Sequence, residues 1–109
     1  MKRKLLALTL VAVVALVAVP VALAAVGVTG KEFKFTLTTK TVRHGKATFK
    51  FTNKGRLKHD FKIAGKKTPL IGPNKSASIT VTLKRGIYTY ICTVPGHAAA
   101  GMKGKLKVT

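Results

Sequence analysis

Wherever this chain shows a regular apolar pattern after residue 25, apolar and polar residues alternate with a period of two, and this restricts it to β-structure. The alternation is clearest at 32–37, 48–52, 57–63 and 79–83, and two further segments follow, 86–92, which is rich in isoleucine, tyrosine and threonine, and 105–108. Successive side chains of a strand point to opposite faces, so such segments form strands with one buried and one solvated face. Glycine, proline and asparagine separate them, and no helical period is sustained after residue 25. Six or seven short strands predict an all-β fold, a small antiparallel sandwich or barrel.

Residues 1–25 differ from the rest. A short basic stretch precedes an apolar run at 5–19, and small residues follow it. This order is typical of a secretory signal peptide with a hydrophobic helix, and it predicts cleavage near Ala24 or Ala25. The alternative is an uncleaved membrane anchor, because the chain stays apolar for several further residues. Either interpretation places residues 26–109 outside the cytoplasm as one domain, periplasmic, secreted or anchored at the outer face of the membrane.

Cys92 is the only cysteine, although exported proteins usually pair their cysteines as disulfides. Four residues separate Cys92 from His97, and four more separate His97 from Met102. Glycines within this stretch bend the chain, so one loop can bring a thiolate, an imidazole and a thioether together. His59 lies on the same strand face as Phe61, which predicts an imidazole that points inward and needs a partner there.

The combination of these four side chains is more informative than any one of them. Taken singly, His59 is explained as a core-edge histidine bonded to a carbonyl group, and Cys92 as a small buried apolar residue. Taken together, two imidazoles, one thiolate and a weak axial thioether suit copper in its electron-transfer form. Zinc prefers closed sets of cysteine and histidine, or a position open to water. The sequence therefore predicts a site for one copper ion.

At this point the chain resembles a known family. The stretch YTYICTVPGHAAAGMKGKLKV, residues 88–108, is similar to the C-terminal end of the cupredoxins, the type 1 blue copper proteins. The stretch FTNKGRLKHDF, residues 51–61, looks like the family segment with the first histidine ligand. The resemblance implies a Greek-key β-sandwich and a single copper. Carried over residue by residue, it implies four ligands: His59, Cys92, His97 and Met102.

Asp60 departs from the family pattern, which often has asparagine after the first histidine. An aspartate in this position can accept a hydrogen bond from the loop that follows Cys92, and Thr93 is a candidate donor. Alternatively, the carboxylate only offsets the charges of Lys58 and Lys62.

Charge bears on the partner. Basic side chains number 21 in the chain against two acidic ones, and residues 26–109 carry a net charge of +16. One interpretation is a solvated surface that keeps a small domain soluble and monomeric. Another is steering towards an acidic redox protein or an anionic membrane surface. Nucleic acid is disfavoured, because export removes that substrate and lysine greatly outnumbers arginine.

Two functions follow from the resemblance and the composition. The first is a carrier of single electrons that cycles between Cu(I) and Cu(II), with His97 in an apolar patch as the exit to the partner. The second is an extracytoplasmic copper chaperone or store, although such proteins more often use clusters rich in methionine and histidine. We expect no enzymatic activity, since two acidic residues leave little for general acid–base chemistry.

Overall fold

The computed structural model describes residues 23–109, which form two β-sheets that pack face to face. The strands are β1 (Ala24–Lys31), β2 (Lys34–Leu37), β3 (Thr41–Val42), β4 (Gly45–Asn53), β5 (Lys62–Ile63), β6 (Lys66–Lys67), β7 (Ser76–Leu83), β8 (Gly86–Ile91) and β9 (Lys103–Val108). The all-β sandwich prediction is thereby confirmed. No helix among the described residues is long and apolar enough to cross a membrane. The predicted signal helix lies outside them.

The four-stranded sheet has the order β2, β1, β4, β7. Strand β1 was not predicted, because the alternation of Val26 and Val28 merges with the apolar run that precedes it. Both valines are almost fully buried, and β1 pairs in parallel with β4 from Ala24 opposite Ala47 to Gly30 opposite Asn53. The β-structure therefore begins at the residues to which the predicted cleavage site was assigned.

The five-stranded sheet has the order β3, β9, β8, β5, β6. Strands β8 and β9 pair antiparallel from Gly86 opposite Val108 to Ile91 opposite Lys103. The connection between them, residues 92–102, leaves the sandwich at one end and returns to it. Strand β3 pairs in parallel with β9, so the sandwich combines antiparallel neighbours with two parallel pairs.

Aromatic side chains from both sheets fill the space below this connection. Phe35 makes edge-to-face contacts with Phe51, Phe61 and Tyr90, at ring-centroid distances of 5.4–5.8 Å. Burial of each ring stabilises the fold by about 1.5–3 kcal/mol, and each aromatic pair adds about 0.5–1.5 kcal/mol. The loop 92–102 therefore rests on a closely packed base.

The segment 57–63 was predicted as one continuous strand, and this was wrong. Only Lys62–Ile63 forms a strand, whereas His59 makes an isolated bridge with Ile71. Leu57 is 47% exposed, although the alternation placed it inside. The cause is Asn53, a buried side chain whose amide donates hydrogen bonds to the carbonyl groups of Leu57 (2.8 Å) and Ile71 (2.9 Å). Side-chain hydrogen bonds take the place of a regular ladder in this segment.

Candidate metal centre

His59 is fixed by its backbone at the end of the sandwich. Its N–H donates to the carbonyl of Ile71 (3.1 Å), and its carbonyl accepts from the N–H of Ile71 (2.9 Å). The side chain has no exposed surface. The prediction that the imidazole points inward is confirmed, even though the strand on which it was based is largely absent.

The loop 92–102 closes on itself through backbone hydrogen bonds. Cys92 N–H donates to the carbonyl of Met102, and Met102 N–H donates to the carbonyl of His97, both at 3.0 Å. Gly96 and Gly101 have φ angles of 83° and 125°, in the region that favours glycine, so both expected bends are present. The loop thus brings the backbone of Cys92, His97 and Met102 together.

Three donor atoms converge where this loop meets His59. The Nδ1 atoms of His59 and His97 are 3.0 Å apart, and Cys92 Sγ lies 3.8 Å from the first and 3.6 Å from the second. Ligand atoms about 2.0–2.3 Å from one ion, in the trigonal plane typical of electron-transfer copper, lie about 3.5–3.8 Å apart. The two sulfur–nitrogen distances fit this spacing, and the nitrogen–nitrogen distance is shorter. Two imidazoles and one thiol form a set that suits copper.

Met102 is joined to Cys92 and His97 by backbone hydrogen bonds, and its side chain has no exposed surface. Its terminal methyl group is 3.4 Å from the position that a Cβ on Gly30 would occupy. Phe51 is closer still to that position, at 2.6 Å, so any larger residue in place of Gly30 would displace these side chains. The absence of a side chain at Gly30 therefore gives Phe51 and Met102 the space that they fill beside β1.

Burial also affects the thiol of Cys92, which is 1% exposed. Removal from water raises the pKa of this thiol, because the charged thiolate is disfavoured there. A metal binds the thiolate, so metal binding at Cys92 releases a proton.

Asp60 is buried and joins the His59 segment to the loop. Its Oδ1 accepts a hydrogen bond from the N–H of Thr93 at 2.6 Å, and its Oδ2 accepts one from the Thr93 hydroxyl. Lys67 Nζ lies 4.0 Å from the same carboxylate, at the limit of an ion pair. Of the two alternatives for Asp60, the structure shows the hydrogen bonds to the loop.

Glu32 is a site residue that the sequence analysis missed. Its Oε1 accepts hydrogen bonds from the N–H groups of Arg56 (2.7 Å) and Leu57 (2.6 Å) and from Nε2 of His59 (3.1 Å). These bonds, that from Leu57 above all, lower the pKa of the Glu32 carboxyl to about 2. A signal was present in the sequence, because Glu32 is one of only two acidic residues in a strongly basic chain.

Phe33 is the second unexpected neighbour of the site. The alternation placed it inside with Phe35, but it is 37% exposed, and its ring meets His97 edge-on at a centroid distance of 5.0 Å. His97 is itself partly exposed, and Pro95 and Ala99 beside it are exposed. Apolar surface therefore surrounds the one histidine of the cluster that reaches solvent.

Comparison with known proteins agrees with this geometry. The family model of copper binding proteins, plastocyanin/azurin family, matches residues 23–109. Auracyanin-B of Chloroflexus aurantiacus is 51% identical over 43 residues, which are 38% of this chain and only 18% of that protein.

Solved structures show the same fold. Auracyanin from Roseiflexus castenholzii has a TM-score of 0.69 at 22% identity, over 81% of this chain and 98% of that one. Auracyanin A from Chloroflexus aurantiacus, a "blue" copper protein, has a TM-score of 0.66 at 24% identity, over 81% and 100%. An azurin of Methylomonas sp. strain J has a TM-score of 0.65 at 21% identity, over 81% and 99%.

The site and the fold agree with the family match, which spans the whole described part of the chain. This chain therefore belongs to the plastocyanin/azurin family of copper-binding proteins, the cupredoxins, and binds one type 1 copper.

Proposed function

We propose that the protein is an exported carrier of single electrons, in which His59, Cys92, His97 and Met102 would hold the copper, with the Met102 thioether as the weakest of the four donors. The observation on which this depends is the convergence of the three donor atoms, all within 3.8 Å of one another. They come from two distant segments, each fixed by its own hydrogen bonds, so the fold itself assembles the donor set.

The chain's part in electron transfer is to keep the ligand side chains in fixed positions. When bound by His59, Cys92 and His97, copper would supply the one-electron couple Cu(II) + e⁻ ⇌ Cu(I). His59 and Cys92 are buried on the aromatic core, so neither side chain can move far between the two oxidation states. His97 is the exit, because it is partly exposed and lies against Phe33.

Burial favours the carrier over the copper chaperone or store. A protein that hands its metal to another must expose its ligands to exchange, whereas His59 has no exposed surface and Cys92 is 1% exposed. Within residues 23–109, only one group of three histidine, cysteine or acidic side chains could hold a metal. The composition, with two acidic residues for general acid–base chemistry, is the reason for proposing a carrier and not an enzyme.

The partner and the compartment are part of the proposal. We expect an acidic redox protein, which the lysines attract and which docks on the apolar surface around His97. An anionic membrane surface is the alternative target of the same charges. The apolar run at 5–19 and the basic residues before it support export, with residues 1–25 cleaved or kept as an anchor. A net charge of +16 on residues 26–109 supports a monomer.

The visible spectrum of the purified domain with added Cu(II) tests the ligand assignment. One equivalent should give an intense thiolate-to-copper band at the red end, and a blue or green colour. Cys92→Ala should abolish the band, and His59→Ala should weaken copper binding or leave a position open to added imidazole.

His44→Ala is the matched control, because His44 is exposed and its Nδ1 lies 3.0 Å from the carbonyl of Thr109, away from the cluster. This variant should keep the full band. A colourless protein that holds one copper per chain would contradict the proposed ligand set.

A further inference from the structure

Glu32 is not one of the candidate copper ligands, yet its carboxylate contacts one of them. Its carboxylate reaches the far side of the His59 ring, since Nε2 donates to Glu32 while Nδ1 faces Cys92 and His97. The His59 ring is fully buried, and the Glu32 side chain is 24% exposed. Both nitrogens of His59 are therefore engaged, one by the cluster and one by an anion.

The loop after β4 is shaped around this carboxylate. The N–H groups of Arg56 and Leu57 donate to its Oε1, and Gly55 lies directly against it. A Cβ on Gly55 would lie 2.5 Å from Oε1 and 2.6 Å from Oε2, so only glycine leaves the carboxylate in place. Gly55 is held in turn by Asn53 Oδ1, which accepts its N–H at 2.8 Å.

Because acidic residues are scarce in this basic chain, the position of Glu32 beside His59 is informative. The chain has two acidic side chains. Asp60 accepts hydrogen bonds from Thr93 in the loop, and Glu32 accepts one from His59. A glutamate that only offset surface lysines would have many partners to choose from among 21 basic residues. It is bonded instead to backbone N–H groups and to a candidate ligand.

We propose that Glu32 is a positioning residue for the copper site: its carboxylate keeps the proton of His59 on Nε2, leaves the Nδ1 lone pair for the metal, and places a negative charge behind that imidazole. This inference rests on the proposed function for the ligand role of His59. A carboxylate bonded to a ligand histidine fixes the tautomer and makes the ring more basic. The negative charge stabilises Cu(II) more than Cu(I), so Glu32 lowers the reduction potential.

Three variants separate the charge from the hydrogen bond. Glu32→Gln keeps an oxygen that can accept hydrogen bonds but removes the charge, and Glu32→Ala removes both. His44→Ala is the control, because His44 is exposed and its Nδ1 lies 3.0 Å from the carbonyl of Thr109, away from the cluster.

Glu32→Gln should favour Cu(I) over Cu(II) about tenfold relative to the wild type, a rise of about 59 mV in the reduction potential of a one-electron couple. Glu32→Ala should in addition weaken Cu(II) binding by about 10–100-fold. A Glu32→Gln potential equal to that of the wild type would overturn the proposal.

The tautomer is measured without copper, so it is independent of the proposed function. In the metal-free protein at pH about 8, the ¹⁵N shifts of the His59 ring should report a proton on Nε2 alone. Glu32→Ala should give a mixture of tautomers, and His44→Ala should leave the His59 signal unchanged. An unaltered His59 signal in Glu32→Ala would overturn the positioning role even if copper binds as proposed.

Discussion

Asp60 connects the two segments from which the donors come, and it does so with both carboxylate oxygens. One oxygen accepts the Thr93 N–H and the other accepts the Thr93 hydroxyl. His59 precedes Asp60 in the chain and Cys92 precedes Thr93, so the pair joins the residues beside two donors. Hydrogen bonds to a charged, buried acceptor are among the stronger ones in proteins.

Asp60→Ala should lower the free energy of unfolding of the metal-free protein by about 2–3 kcal/mol, because it leaves the Thr93 N–H without its acceptor. Asp60→Asn should cost less, since its side-chain oxygen can still accept that N–H. Urea unfolding measures both. Equal losses in the two variants would show that the hydrogen bond to Thr93 does not hold the segments together.

The sequence predicted the candidate donors and offered the Asp60–Thr93 hydrogen bond as one alternative, but it did not predict the contact of Glu32 with His59. Cys92, His97 and Met102 are close in the chain, and their spacing alone indicates a common loop. Glu32 and His59 are 27 residues apart, and their contact depends on how β1 and the loop after β4 meet in space. No local pattern reports such a contact.

Strands β8 and β9 pack closely at one position, where a large aromatic residue lies opposite a glycine. Tyr90 lies opposite Gly104, and its ring covers the glycine, so that a Cβ there would overlap the Tyr90 hydroxyl and lie 2.7 Å from Cε2. Tyr90 is 2% exposed and contacts Phe35 and Phe61. The ring therefore has no free space into which it could withdraw.

Gly104→Ala should destabilise the protein by about 1–3 kcal/mol, the usual cost of overpacking a dense core. Gly72→Ala serves as the control, since a Cβ at Gly72 would meet no atom within 4 Å. Guanidinium unfolding of both variants is the measurement. If Gly104→Ala is no less stable than the control, the ring of Tyr90 is not confined as described.

Which strands were predicted depended on what surrounds them in the sequence. β4 and β7 alternate cleanly between polar turns, and both were found at 48–52 and 79–83 within their true bounds. β1 follows a long apolar run, so its alternation was hidden there. The opposite error occurred at 57–63, where alternation is present but Asn53 supplies hydrogen bonds that make a ladder unnecessary.

Most of the basic side chains in the described part of the chain have no acidic side chain beside them. Within residues 23–109, one lysine, Lys67, lies within 4.0 Å of a carboxylate. In strand β9, for example, Lys103, Lys105 and Lys107 are all exposed to solvent. The positive potential of the domain is therefore weakened mainly by dissolved ions, over roughly 8–10 Å at physiological ionic strength.

The rate of electron transfer to the native partner should fall steeply as salt rises, because screening removes the attraction that speeds the encounter with an acidic protein. Stopped-flow mixing over a range of salt concentrations measures it. A rate that rises with salt would indicate a basic partner. A constant rate would assign docking to the apolar surface around His97 and leave the lysines to solubility or to a membrane surface.

The inward use of both acidic side chains has a consequence for encounters between identical molecules. With Glu32 bonded to His59 and Asp60 to Thr93, both acidic side chains of the chain already have partners within it. The net positive charge therefore opposes the approach of two identical copies, and screening by salt weakens this repulsion. For the proposed carrier, electron transfer to an acidic partner should accordingly be faster than self-exchange between copies.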